Sequence, residues 1–191
     1  MKKALTTLIV LLLGYVLVQS IYTEMTKDKT PGKAKRLECQ KRATTFERAF
    51  DTEAIVAAQK QVRSEKINFT SHTEPAIYME SVLFDFISLE QTDAVIQKAF
   101  DGYFAQDATL AQKYNFSYYI YENDKKDPGK KGKKSKLYTG YVVFEVKNTN
   151  NKVIYKIQAD FMDDKAADIS QSLQCVVDSF MTYNLALQNT H

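Results

Sequence analysis

The chain has 191 residues, a formal charge of +3, two cysteines, no tryptophan, and only six glycines and three prolines. That composition excludes collagenous, low-complexity and disulfide-dense classes and leaves one ordinary globular domain with enough chain to bury a core. The charge is uneven, because residues 125–136 hold seven lysines against one aspartate. An electrostatic partner would therefore be recruited by one loop rather than by a basic surface.

Lys2 and Lys3 precede an uncharged stretch from Ala4 to Ile21. As a helix at about 1.5 Å per residue it reaches roughly 27 Å, just enough to cross a hydrocarbon core of about 30 Å. An uncleaved anchor is the favoured reading. A secretory signal peptide, with Val18-Gln19-Ser20 as a small-residue cleavage site, is the alternative. Lys27, Lys29, Lys33, Lys35 and Arg36 follow the span, and by count they favour a cytoplasmic C-terminal side. The lysines abutting the span argue for the opposite orientation, since the downstream charges are diluted by Glu24 and Asp28. The expected arrangement is a single-pass protein of the inner (cytoplasmic) membrane, anchored through residues 4–21. Residues 1–21 are then anchor or signal, residues 22–37 a polar tether, and residues 38–191 one extracytoplasmic domain.

Within that domain Cys39, Ala43, Phe46, Phe50, Ala54 and Ala57 recur at three- and four-residue steps, which predicts a helix of five or six turns ending near Val62. Ile67–Thr70 reads as a short strand. Ile77–Leu89 is apolar on both parities, and its aromatic and β-branched content favours a strand over a helix. Ser88 followed by Gln91 signals a second helix with Val95, Ile96, Ala99, Phe100, Tyr103 and Phe104 inward.

Three strands follow. Phe116, Tyr118 and Ile120 alternate with Ser117, Tyr119 and Tyr121 in the first. In Leu137–Lys147 the inward set is Tyr138, Val142, Phe144 and Val146. In Val153–Phe161 it is Val153, Tyr155, Ile157, Ala159 and Phe161, against Lys156, Gln158 and Asp160. The asparagine-rich segment from Lys147 to Lys152 predicts a hairpin turn. A closing helix runs from about Asp164 to Leu187, with Ile169, Leu173, Val176, Val177 and Phe180 on one arc. The predicted fold class is α+β: an antiparallel meander sheet with flanking helices in a two-layer sandwich.

Cys39 and Cys175 match no metal or redox spacing. Cys39 lies in line with the first apolar stripe, whereas Cys175 lies opposite the apolar arc of the last helix. If the first helix packs on the back of the last, the two face each other and form a disulfide in an oxidising compartment. The alternative is two unpaired thiols.

Lys125, Lys126, Lys130, Lys131, Lys133, Lys134 and Lys136 sit between strands rich in tyrosine: Tyr118, Tyr119 and Tyr121 before, Tyr138 and Tyr141 after. Lysine without arginine supplies point charges rather than bidentate recognition. A solvated hairpin tip is the plain reading, and contact with an anionic lipid or polymer is the functional one. Nucleic acid is disfavoured by the export signal.

Asp160, Asp163, Asp164 and Asp168 lack the spacing of a calcium loop and suit a helix start. Glu80 and Asp85 are the carboxylates expected to be buried, and so the candidates for acid–base work. No catalytic, cofactor or metal motif is present, and none of these is expected. The expected role is a non-catalytic binding or assembly protein of the cell envelope with a protein partner. The alternative is a small exported enzyme or ligand-binding domain with an NTF2-like pocket.

Overall fold

Alternating apolar and polar residues form the central strands, and capped stretches of helical spacing form the helices Thr52–Ser64 and Leu89–Asp101. The computed structural model describes residues 37–43, 45–106, 113–130, 132 and 137–184. The elements are α1 (Glu38–Arg42), β1 (Thr45–Ala49), α2 (Thr52–Ser64), β2 (Phe69–Glu74) and a 3-10 turn (Leu83–Asp85). They continue as α3 (Leu89–Asp101), β3 (Asn115–Glu122), β4 (Gly140–Lys147), β5 (Val153–Phe161) and α4 (Ile169–Met181). The apolar run 4–21 and nearly all of the tether lie outside the described residues. Among the described residues no helix is long and apolar enough to cross a membrane.

The strands form one mixed five-stranded sheet in the order β1-β5-β4-β3-β2. The antiparallel β3-β4-β5 meander matches the sequence reading, as does the hairpin turn, where Asn151 takes a left-handed φ of 62°. At one edge β1 runs antiparallel to β5. At the other, β2 runs parallel to β3, a pairing that needs the crossover through α3. The sheet is therefore not the purely antiparallel meander that alternation suggested.

One face of the sheet is covered by helices. Phe116, Tyr118, Ile120, Val142, Phe144, Val146, Tyr155, Ile157 and Ala159 pack with Ile55, Ala58 and Val62 of α2, Ile96, Ala99 and Phe100 of α3, and Leu173, Val176, Val177 and Phe180 of α4. Phe144 sits among four aromatic rings: Phe100, Phe116, Tyr155 and Phe180. Ser88 caps α3 as predicted, its hydroxyl accepting from Gln91 N while its own N–H donates to Gln91 Oε1, both at 3.2 Å. Phe104, expected inward, is exposed because α3 ends at Asp101.

Three further predictions are corrected. The long first helix is instead α1, β1 and α2. Thr45-Phe46 has strand-forming side chains and the edge of β5 offers it a ladder, while Asp51 starts a new helix by accepting from Ala54 N at 3.0 Å. Phe46 and Phe50, read as core, are exposed. Ile77–Leu89 is not a strand, because its N–H groups find carboxylate partners, described below. The last helix begins at Ile169 rather than Asp164. Asp163 accepts from Lys165 N and Ala167 N, Asp168 accepts from Met162 N and Asp163 N, and Ala166 is left-handed at φ 56°, so the segment is a tight turn. As described it ends at Met181 with Thr182 as its C-cap, and residues 185–187 of its expected extension lie outside the described residues.

Candidate functional site

The sheet face away from the helices is set by the same alternation. Strand register lines up His72, Tyr119, Val143, Gln158 and Phe46 in one row and Glu74, Tyr121, Tyr141 and Asp160 in the next. His72 stacks on Tyr119 with ring centres 5.0 Å apart, Tyr121 stacks on Tyr141 at 5.9 Å, and Tyr138 meets Tyr141 at 5.9 Å. Two lysines lie over this layer, Lys130 at 5.5 Å from the Tyr121 ring and Lys156 at 5.9 Å from that of Tyr119. Burial, then the Asp160, Tyr138 and Tyr121 charges, raises the Tyr141 phenol. Burial with Asp124, Asp127 and Glu74 does the same for Tyr121. Both phenols therefore stay neutral donors at ordinary pH. Below the rows, Glu145 accepts from Lys156 at 2.7 Å and pairs with Lys147 at 3.1 Å. These bonds outweigh its burial and hold it below the usual carboxylate range.

Tyr118 lies on the opposite face from Tyr119 and Tyr121, as the alternation in β3 predicts. Its hydroxyl donates to Asp93 Oδ1 at 2.6 Å and lies 2.9 Å from Thr92 Oγ1, and burial followed by the Asp93 bond raises its phenol far above the ordinary value.

At one end of the sheet, β3 finishes in three buried polar residues, Glu122, Asn123 and Asp124. Glu122 accepts from Ala76 N (3.1 Å), Val82 N and Leu83 N (both 3.0 Å). Asp124 accepts from Ile77 N (2.8 Å) and Tyr78 N through one oxygen and from Lys126 N (3.2 Å) through the other. Burial alone would raise both carboxyls. The hydrogen bonds, Ser81 and the backbone for Glu122, the Tyr78 and Ile77 amides for Asp124, instead hold both below their ordinary values. Two carboxylates thus replace a neighbouring strand for the 75–83 loop. The sequence reading placed the buried carboxylates at Glu80 and Asp85, and both are exposed. Glu122 and Asp124 went unrecognised because their partners are backbone groups some forty residues away.

Lys125 pairs with Asp164 at 3.3 Å, Lys126 is exposed, and Lys130 donates to Asn123 Oδ1 at 2.6 Å, pointing back onto the domain rather than out from a hairpin tip. Lys131, Lys133, Lys134 and Lys136 lie outside the described residues.

Cys39 and Cys175 form a disulfide, with Cα atoms 5.8 Å apart. The cross-link holds α1 on the outer side of α4, where Gln40 Nε2 also donates to Ser179 Oγ at 2.9 Å. A groove of about 450 Å³ opens beside it, with Arg42, Met162, Gln171 and Asp178 in its wall. Asp178 there accepts from Tyr103 at 2.8 Å and Gln174 at 2.9 Å, and Asp163 and Asp168 are committed to the turn before α4. Among the described residues no group of histidine, cysteine and acidic side chains is placed to hold a metal ion.

No family model and no curated protein matches the chain. Among solved structures it is similar to the PelC dodecamer from Paraburkholderia phytofirmans, at 13% identity and a TM-score of 0.38, over 73% of this chain and 96% of that one. A point variant of the same dodecamer gives 14% identity and a TM-score of 0.37 over the same shares. At this distance a function for the present chain has to come from its own residues.

Proposed function

We propose that the protein is a non-catalytic binding and assembly protein of the cell envelope, anchored by its N-terminal apolar segment, with the α+β domain outside the cytoplasm. The disulfide supports the compartment, because such bonds persist where the surroundings are oxidising. The observation that carries the binding role is the open sheet face. A core needs one face of this sheet, yet the other also carries stacked tyrosines, and rigid amphipathic rings bring large contact area at low entropic cost. A protein partner in the envelope lies across Tyr119, Tyr121 and Tyr141, with Lys130 and Lys156 at its margin.

Two measurements test this reading. A reporter active only outside the cytoplasm, fused after His191, should be functional, and an active cytoplasmic reporter at that site would overturn the orientation. A photo-reactive phenylalanine at position 119, 121 or 141 should yield one adduct of defined size in cells, and at exposed Lys60 on α2 it should yield none. Equal yields from both sides would remove the open face from the function.

A further inference from the structure

The end of the sheet held by Glu122 and Asp124 carries an unusual concentration of exposed apolar side chains. Ile77 is 85% exposed and Tyr78 58%, with Val82 close behind on the same loop, and Leu137 and Met162 are more than half exposed. These positions belong to one end by direct bonding. Asp124 holds the Ile77 and Tyr78 amides, and Glu122 holds that of Val82. Asn123 Nδ2 donates to Tyr138 O beside Leu137, and Thr139 Oγ1 donates to Met162 O. The apolar tips therefore project from a backbone fixed by buried charge-assisted bonds, and that scaffold keeps them in water instead of letting them fold back onto the core.

The same bonding brings in the lysines. Asp124 binds the Lys126 amide with its second oxygen, Lys125 follows Asp124 directly, and Lys130 reaches Asn123. Their connection is the one whose sequence holds seven lysines against one aspartate. Glu80 and Asp163 lie at the same end and Asp164 pairs with Lys125, so part of the positive charge is offset there.

We propose that this end of the sheet docks on the headgroup region of an anionic lipid bilayer, with Ile77 and Tyr78 entering the interface, the exposed Lys126 over the phosphates, and Lys125 and Lys130 exchanging Asp164 and Asn123 for them. Protruding apolar tips suit a bilayer, which needs no matching pocket, and an amphipathic tyrosine is at home at headgroup depth. Lysines near an anionic surface each add to the attraction. The docking rests on the anchored reading only for proximity: a tether of about sixteen residues spans at most roughly 55 Å and keeps the domain within reach of the bilayer.

The chain has no tryptophan, so one introduced indole reports alone. Full-length Ile77→Trp and Tyr78→Trp, which leave the amides bound by Asp124 in place, would be mixed with phosphatidylcholine vesicles and with vesicles containing phosphatidylglycerol. Co-sedimentation with the neutral vesicles reads the N-terminal segment. A blue shift and quenching by brominated acyl chains, confined to the anionic vesicles, reads the docking. Lys60→Trp should stay unshifted in both. Adding Lys125→Gln, Lys126→Gln and Lys130→Gln should weaken the anionic response by at least about fivefold, the share of the one exposed lysine, Lys126. Equal responses in the two vesicle types, no response in either, or a shift that grows with protein concentration without lipid would each overturn the proposal, the last in favour of a second copy of the chain.

Discussion

Both faces of β3 and β4 carry large aromatic side chains, and these meet opposite fates. Toward the helices, Phe116 and Phe144 are sealed among rings of α3 and α4, and Tyr118 packs on Phe69 of β2. Toward solvent, Tyr119, Tyr121 and Tyr141 stack on one another and on His72 and stay partly exposed. Aromatic content therefore does not distinguish core from contact surface here. What distinguishes them is whether the neighbouring layer supplies apolar walls and, for a tyrosine, a partner for the hydroxyl. Tyr118 has Thr92 and Asp93. On the open face, Tyr119 lies beside Lys156, at 5.9 Å from its ring, instead of against a helix.

The largest test of that contrast is the cross-link that holds α1 against the helix layer. Replacing Cys39 and Cys175 together by serine should lower stability by up to about 5 kcal/mol in the chain-entropy account, since the bridge closes a separation of 136 residues. A loss below about 1 kcal/mol in urea titrations would show that the covered face does not depend on the staple. Labelling under denaturing, non-reducing conditions should find no free thiol.

Next in size is the comparison across the sheet itself. Phe144→Ala should cost about 3–5 kcal/mol, because it empties a site walled by four rings, whereas Tyr121→Ala should cost under about 1 kcal/mol. Similar losses would mean that something covers the open face. Gly140→Ala, at the start of β4, should cost about 1–3 kcal/mol. A methyl group there would lie 2.8 Å from Tyr121 O and against the Phe161 ring, so the ring or the neighbouring β3 backbone must shift to admit it.

Acid should release the apolar end of the sheet. Glu122 and Asp124 have folded-state pKa values below the ordinary 4.5 and 3.8, so their contribution is full above those values and is lost as pH falls through the lower, folded-state ones. Amide exchange at Ile77, Tyr78, Val82 and Leu83 should accelerate in that acid window while amides of β4 and β5 stay protected. Uniform acceleration would deny the clamp its local role. The smallest effect belongs to the lysine connection: Lys125→Ser, Lys126→Ser and Lys130→Ser together should shift the melting temperature little, since Lys126 is exposed and a surface ion pair such as Lys125–Asp164 is worth only about 0–1 kcal/mol. A large drop would make Lys130 on Tyr121 part of the core's support.

Much of this architecture is legible from local patterns. Alternation in β3, β4 and β5 assigns most residues to their faces, although Tyr138 and Val153, expected inward, lie outside the core; Ser88 with Gln91 starts α3, Asn151 turns the hairpin, and Cys175, opposite the apolar arc of the last helix, anticipates the bridge to Cys39. Apart from the bridge, which also needs α1 packed on α4 across 136 residues, these features need only a residue and its near neighbours, so the sequence by itself determined them.

Tertiary structure decided the rest wherever the partner of a backbone group lay far along the chain. The stripe from Cys39 to Ala57 has helical spacing, yet the edge of β5 captures its middle as β1. The apolar 77–89 segment has strand composition, yet Glu122 and Asp124 satisfy its N–H groups and leave it a loop with its side chains outward. β2 joins β3 in parallel because α3 carries the chain across between them. A spacing pattern records which side chains want burial. It does not record which remote edge or carboxylate will accept a hydrogen bond, and here that choice set both the strand order and the exposed end of the sheet.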